Sequence, residues 1–540
     1  MKLKEAAEKI FCFPFHPLLV AVFPVLSLYA HNIYELLPAS LVRPLTVSVL
    51  MTLVVAGVLL LAFRNFRKAA ILTSVLLIWF FSYGHLHGWL AGRIVESQKF
   101  SIGDGLFLTL FFSVAVTTLA LRRTKNKLDR VTRFLNVASL ALVLVALGNI
   151  LRFELFTEEA ARREPSAITT SLPEGAIKPD IYYLIFDRYA GQKVLSDFYN
   201  FDNKSFLDFL QETGFYVAFE STANYPMTLL SLTSSLNLDY LPALFEQFPS
   251  RSVETPAYPL LENSAVLTLL KGLGYKYYHV GSWYNPTRLN RNADKNFNFM
   301  SLAYRNLDFD SFMRELYQQT ILPPIFRKLS QVGLKGVPLD IKGIKSIPDN
   351  LADLHFNSAK YQFATLKEIS SLEGPKFVFA HILLPHPPMV FGKDCEELSA
   401  ETGTSLEAYL NQLVCTNKFA AEVVEGILSK SRDSIIILQS DEGTNPPLKF
   451  PYEGLSDTYG YGFEGAPSGT LKERFGILNA IYLPGVDASA ELYPTITPVN
   501  TFRIIFNRFF GTALPLLPDK NFASWDYLWD FHEVTSIIRK

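Results

Sequence analysis

The sequence predicts two structural classes in one chain: an all-α transmembrane bundle of about five helices, and behind it an α/β domain with a mostly parallel central sheet. Three observations predict this. Five apolar stretches crowd residues 1–151. Residues 152–178 ("TEEAARREPSAITTSLPEGAIK" and its flanks) are charged and Ser/Pro-bearing without apolar periodicity, a juxtamembrane linker. From Pro179 to residue 540, short β-rich apolar runs alternate with helical stretches, the pattern of helices packed on a parallel sheet.

The apolar stretches are Phe11–Ala30, Leu45–Phe63, Ala69–Gly84, Gly105–Leu121 and Phe134–Leu151. Several approach the ~20 residues that a membrane-spanning helix needs. They lack the polar face that a surface helix of a soluble protein would show, and a cleaved signal peptide would explain only the first. The first is interrupted by Pro17 and Pro24. The loops set the orientation. "RNFRK" joins spans two and three, and "RRTKNKLDRVTR", with six basic residues, joins spans four and five. The other two connections hold one and two basic residues. Lys and Arg stay on the cytoplasmic side. The expected protein is therefore multi-pass in the plasma (inner) membrane, with a cytoplasmic N-terminus and its large C-terminal domain extracytoplasmic. A formal net charge of −1 over 540 residues argues against a nucleic-acid partner. Nothing in the sequence specifies an oligomer.

In the outer domain "IYYLIF", "KYYHVG", "KFVFAHILL", "SIIILQ" and "NAIYLPG" read as strands. "NKSFLDFLQETG", "NSAVLTLLKGLG" and "YLNQLVCTNKFAAEVVEGILSK" read as helices, two of them closing on Gly. The aromatic run "VNTFRIIFNRFF" reads as a helix packed on the sheet, with contact to a membrane surface as the alternative. Cys395 and Cys415 flank a loop and a helix start. In an oxidising compartment they can close that loop as a disulfide, or they stay separately buried thiols.

Ligands of open α/β sheets gather outside the carboxyl ends of the strands, so residues at the ends of the apolar runs are the candidates. One apolar run ends at Asp187 and Arg188, one at the adjacent acids Asp441 and Glu442, and one delivers His381 and His386. Each has an innocent reading as a turn, a cap or a satisfied histidine; for His381 a core role is expected, because it lies inside the strand. Two adjacent carboxylates that close are unfavourable unless a cation or a shared proton offsets them. A fourth segment, "NYPMTLLSLTSSLN", opens a helix after Pro226 and puts Thr228 in its first turn. Free N–H groups there attract anions. A hydroxyl beside a cation can become a nucleophile, or it can merely cap the helix.

In this order the segments resemble the alkaline phosphatase superfamily, in particular its sulfatase-like membrane branch of lipoteichoic acid synthases and phosphoethanolamine transferases. "LIFDRYAG" holds the place of the family's first acidic metal ligand (Asp187), and Thr228 with Ser231 and Leu236 that of the transferases' nucleophile. "GYKYYHVGSWY" resembles the sulfatases' "GY…GKWH" segment, with Ser282 and Tyr284 in place of its Lys and His. "LPHPPMVF" resembles the segment whose histidine meets the phosphate (His386), and "SDEG" the family's "SDHG" or "SDNG". The resemblance implies an alkaline-phosphatase-like outer domain, Thr228 and His386 as catalytic groups, and Asp187, Thr228, Asp441 and Glu442 around one divalent metal ion. His386, Arg188 and Trp283 would bind substrate. Oxygen-only ligands point to Mn²⁺ or Mg²⁺ ahead of Ca²⁺ or Zn²⁺. The sulfatases' Cys-x-Pro-x-Arg arrangement is absent, Thr228 and Leu232 standing at its Cys and Arg places. The implied activity is transfer of a phosphoglycerol- or phosphoethanolamine-type group from a membrane lipid donor to a surface glycan or lipid acceptor, through a covalent threonine intermediate. Hydrolysis of a surface phosphoester, or a binding domain whose site has decayed at Glu442, are the alternatives.

Overall fold

Apolar residues with no polar face can satisfy their backbone in a membrane only as helices, and the first part of the chain is built that way. The computed structural model of the chain describes residues 11–33, 36, 38–91, 93, 101–124, 128–162, 172, 178–245, 257–299, 311–325, 351–398, 405–444, 462–525 and 528–540. Much of the expected linker (163–171, 173–177) and the Pro-rich run after Thr444 lie outside the described residues. The chain divides into two compact units, residues 1–155 with 303–346, and residues 156–302 with 347–540.

The first unit contains α1 (His16–His31), α2 (Val42–Phe63), α3 (Phe66–Ala91), α4 (Ile102–Arg123) and α5 (Asp129–Arg162). Helices α2 to α5 are each long and apolar enough to cross a membrane. With 16 residues, α1 rises only about 24 Å, short of the ~30 Å hydrocarbon core. The expected five spans are thus four long helices and a shorter one. Pro17 falls in the first turn of α1, where proline is tolerated, and Pro24 lies inside it. Large apolar side chains such as Leu61, Phe111 and Val145 are exposed, as lipid-facing residues are. Helix α5 runs on to Arg162, past the expected boundary at residue 151.

A segment from far along the sequence joins this unit. Helix Ser311–Gln319 places Phe312 and Leu316 in one core with Tyr29, Leu77 and Phe81, and the Ile321 N–H donates to the Phe80 carbonyl at 3.0 Å. Gly84 permits the approach: a Cβ there would lie 2.7 Å from the Gln319 Cα.

The second unit is built on a seven-stranded sheet. Its strands are β1 (Ile181–Phe186), β2 (Tyr216–Val217), β3 (Lys276–Val280), β4 (Lys295–Phe297), β5 (Lys376–Ile382), β6 (Ile435–Gln439) and β7 (Asn479–Tyr482), in the order β2-β7-β6-β1-β5-β3-β4. Strands β4, β3, β5, β1 and β6 are mutually parallel, and β7 runs against β6. The "IYYLIF" run of β1 has no polar alternation because both of its faces are buried. Tyr182, Leu184 and Phe186 enter one core, Ile181, Tyr183 and Ile185 the other, each side chain contributing roughly 1.5–3 kcal/mol. Helix Pro498–Phe510 packs Phe502, Phe506 and Phe510 into the second core, the packing preferred for "VNTFRIIFNRFF". A disulfide joins Cys395 to Cys415 across 20 positions.

The position of β1 organises the site. The chain leaves its end and returns to both flanks, β5 on one side and β6 on the other. Three carboxyl ends therefore share one edge, the kind of switch point at which α/β sheets bind ligands.

Candidate metal centre and nucleophile

Register brings the acids together. Ile185 pairs with His381 on one side and Gln439 on the other, so Asp187, one residue past β1, sits level with the ends of its neighbours. The Asp187 N–H donates to the Ile382 carbonyl at 2.9 Å. Asp187, His381 and Asp441 each offer a ligand atom, all within 4.8 Å of one another, and all three side chains are buried. The Nε2 of His381 lies 3.6 Å from Oδ2 of Asp187 and 3.8 Å from Oδ2 of Asp441.

Neither carboxylate oxygen of Asp441, nor Nε2 of His381, has a hydrogen-bond partner. Buried polar atoms left so cost about 1–3 kcal/mol each, more when charged. Burial first, then the charge of Asp187, raises the Asp441 pKa well above the carboxylate range. Two buried acids and an imidazole with ligand atoms this close to one another form a group that could hold a divalent cation.

The imidazole is aimed by its other nitrogen. Nδ1 of His381 is 2.7 Å from Oγ1 of Thr287, which is itself 2.9 Å from Oγ of Ser282. The amide of Gln362 donates to the carbonyls of His381 and Gly281. Such outer partners fix the orientation of a metal-binding histidine. His381 is fully buried inside β5, as expected, and its Nε2 also faces the two acids. The signal lay in the alternation of β5, which puts His381 on the same face as Phe377 and Phe379, a lone polar residue in an aromatic stripe.

Glu442 departs from expectation in the other direction. Its Oε1 accepts from Nε of Arg188 at 2.9 Å and its Oε2 from Nη2 of Arg474 at 3.1 Å, so its carboxylate is spent on two buried guanidinium groups. Where the sequence pointed to an all-oxygen set with Glu442, the group that could hold a metal is Asp187, Asp441 and the imidazole of His381. Arg188, expected at the substrate, is held against Glu442 in a left-handed backbone conformation (φ 60°). That conformation costs a non-glycine residue roughly 1–2 kcal/mol. The turn is pinned by the Tyr409 hydroxyl on the Arg188 carbonyl and by Oγ of Ser440 on the Tyr189 N–H. Arg474, which sequence reasoning missed, also donates to the Pro226 carbonyl. It thereby links the acid to the segment that carries Thr228. Gly443 completes "SDEG" because a Cβ there would lie 2.1 Å from the Glu473 carbonyl oxygen.

Thr228 is the first residue of helix Thr228–Asn237, whose N-cap is Met227. Its hydroxyl is close enough to Asp441 to favour that acid's anion. His386 lies past β5, beside the Trp283 ring (centroids 6.3 Å apart). Trp283 in turn donates from Nε1 to Nδ1 of His355 at 2.9 Å. Burial, then the nearby Arg188, hold the His386 pKa well below its ordinary value. Its Nδ1 contacts the Pro387 carbonyl, which requires the proton on Nδ1 and leaves Nε2 as an acceptor. Tyr284 stands against the ring of His381 (6.1 Å). His355, on helix Leu351–Ile369, carried no sequence signal, since a lone histidine in a helix has many uses. The structure thus brings Asp187, Asp441 and Thr228 together, adds His381, turns Glu442 and Arg188 toward each other, and sets His386 with Trp283 alongside.

Residues 213–465 match the sulfatase family model; Thr228, His381 and Asp441 fall inside that range, and Asp187 precedes it. No curated protein sequence matches the chain. Among solved structures, the C-terminal periplasmic domain of EcEptC from Escherichia coli is 11% identical with a TM-score of 0.39, covering 66% of this chain and 94% of that one. The integral membrane protein lipooligosaccharide phosphoethanolamine transferase A (EptA) from Neisseria meningitidis is 12% identical with a TM-score of 0.37, covering 91% and 95%. A putative sulfatase from Bacteroides fragilis is 12% identical with a TM-score of 0.36, covering 63% and 75%.

Proposed function

We infer the activity from the match of residues 213–465 of this membrane chain to the sulfatase family model. The reading is metal-dependent transfer of a phospho-alcohol group of the phosphoglycerol or phosphoethanolamine type. The donor is a membrane phospholipid and the acceptor a surface glycan or lipid, with Thr228 as nucleophile, in an extracytoplasmic domain. The observation that carries it is the convergence of Asp187, His381 and Asp441 within 4.8 Å, with Thr228 opening a helix beside them.

Asp187, His381, Asp441 and Oγ1 of Thr228 would hold the metal, which when bound supplies positive charge that lowers the pKa of a hydroxyl and offsets charge on phosphoryl oxygens. A set with one imidazole suits Zn²⁺ or Mn²⁺ better than Ca²⁺. In the first step the Thr228 Oγ1–P bond forms as the bond from phosphorus to the lipid's glycerol oxygen breaks. The proton of Thr228 leaves for solvent, and the released alkoxide takes up a proton from solvent. In the second step the acceptor hydroxyl attacks phosphorus and its proton passes to Nε2 of His386, which burial keeps neutral. The Thr228 Oγ1–P bond breaks as the acceptor's bond forms, and Oγ1 takes that proton from His386, so that both residues end as they began. Backbone N–H groups of the first helical turn face the phosphoryl oxygens. The Glu442–Arg188–Arg474 group acts on position, holding the Pro226 turn and the end of β1. Trp283, beside His386, lines the approach. Tethering to a membrane raises the local concentration of a lipid donor.

Purified full-length protein incubated with head-group-labelled phospholipid and Mn²⁺ or Zn²⁺ tests this. A phospho-alcohol adduct on the Thr228 peptide, label on an acceptor, and loss of both in Thr228→Ala by about 10³-fold or more are expected. Label released only to water assigns a hydrolase, and absence of both bound metal and adduct overturns the reading.

A further inference from the structure

We propose that the membrane unit binds one glycerophospholipid in a groove between α1, α3 and α5, with an acyl chain inside and the head group at a polar mouth. The groove has a volume of about 600 Å³, within the range of ligand-sized sites. Its walls are apolar, with Phe23 on α1, Leu77 and Phe81 on α3 and Leu142 on α5. Polarity collects at one end, where His31, His85 and Gln319 stand and His85 Nε2 is 3.0 Å from Oε1 of Gln319.

Direction and depth identify the occupant. Helices α3 and α5 start from the basic loops that the distribution of Lys and Arg assigns to the cytoplasm. His85, near the far end of α3, therefore marks the opposite surface, and His31 ends α1. From Val20, the first α1 residue on the groove's lining, to His31 is roughly 16 Å along a helix, close to the ~15 Å of one hydrocarbon leaflet. A soluble apolar ligand would have no use for such a gradient. An outer-leaflet lipid matches it, with methylenes against Phe23 and Leu142 and ester or phosphate oxygens at the imidazoles and the amide. Helix Ser311–Gln319 closes the mouth through Gln319. The sequence places that helix after the first membrane-crossing segments, yet it belongs with this unit. That the bound lipid is also the phospho-alcohol donor rests on the proposed phospho-transfer; the binding does not.

The test is photolabelling of the full-length protein in lipid nanodiscs, using a phosphatidylethanolamine with a diazirine in its acyl chain. Labelling of the peptides containing Leu77–Phe81 and Ala138–Leu142 is expected to exceed that of the α2 peptide around Val54–Leu61 by fivefold or more. Either Ala138→Phe or Ser82→Phe, each filling the groove, is expected to remove that excess while size-exclusion behaviour stays that of the parent protein. Two variants guard against misfolding of one. His31→Ala with His85→Ala is expected to reduce it at least threefold. Equal labelling of groove and α2 peptides, or an excess that survives both filling variants, means surface lipid only and overturns the proposal. Thr228→Ala is expected to keep the labelling while losing phospho-transfer, so failure of the groove and failure of the proposed chemistry give different results.

Discussion

Two adjacent acids in "SDEG" are given opposite tasks by what surrounds them. Asp441 points at Asp187 and His381 with both oxygens unpartnered, whereas Glu442 is neutralised by Arg188 and Arg474. The two substitutions should therefore differ in kind. Asp441→Asn removes a ligand charge and is expected to lose bound metal, measured by elemental analysis of the dialysed protein, with little loss of stability. Glu442→Gln is expected to keep the metal but to lower unfolding free energy by about 3–5 kcal/mol, because it leaves buried guanidinium charge without its counter-ion. Metal lost from Glu442→Gln at unchanged stability would restore the ligand set read from the sequence. A sequence shows that the residues are adjacent, but not that neighbouring side chains leave a turn in different directions.

At the scale of elements, parallel pairing sets the level of each strand end and loops then aim the side chains. The loop after β5 is held by one side chain of helix Leu406–Lys430. Oε1 of Gln412 accepts from the Val390 and Phe391 N–H groups, and its Nε2 donates to the His386 carbonyl at 3.0 Å. The disulfide ties the same loop to the same helix. Closing a loop of about 20 residues restricts the unfolded chain by about 3 kcal/mol. Cys395→Ser with Cys415→Ser is accordingly expected to lower the unfolding midpoint of the purified full-length protein in detergent by several degrees, and reductant to do the same to the parent. An unchanged midpoint would show that Gln412 and the packing of the loop suffice. The strands themselves were legible, since "IYYLIF", "KFVFAHI" and "IIILQ" are apolar runs of strand length between turn residues. Their spatial order was not, because any of the parallel arrangements satisfies the same pattern.

For the whole molecule, burial of neutral histidines in the α/β unit links stability to pH. Burial lowers the His279 pKa from 6.5 to about 4 and that of His355 to about 3, and His386 moves the same way. As pH falls through 6.5 the unfolded chain takes up these protons and the folded unit refuses them. Their contribution is fully present above pH 6.5 and is lost as pH falls through the 6.5-to-4 window and on toward 3. His279 alone corresponds to roughly 3 kcal/mol, since each tenfold change in proton affinity is worth about 1.4 kcal/mol. Chemical unfolding of the full-length protein between about pH 7.5 and 4.5 is expected to show stability falling steadily with acid; a flat profile would mean that these imidazoles are hydrated.

The sequence by itself determined the membrane helices, the α/β class and the candidates Asp187, Thr228 and Asp441. Each of these rests on information local to a segment: runs of apolar residues, and acids or hydroxyls at the ends of strands and helices. Only the tertiary structure decided that His381 joins the acids while Glu442 turns to two arginines, and that helix Ser311–Gln319 joins the membrane unit. Those choices depend on which distant residues meet, Thr287 at His381, Arg474 at Glu442 and Gly84 under Gln319, and no periodicity along one segment encodes a meeting between two.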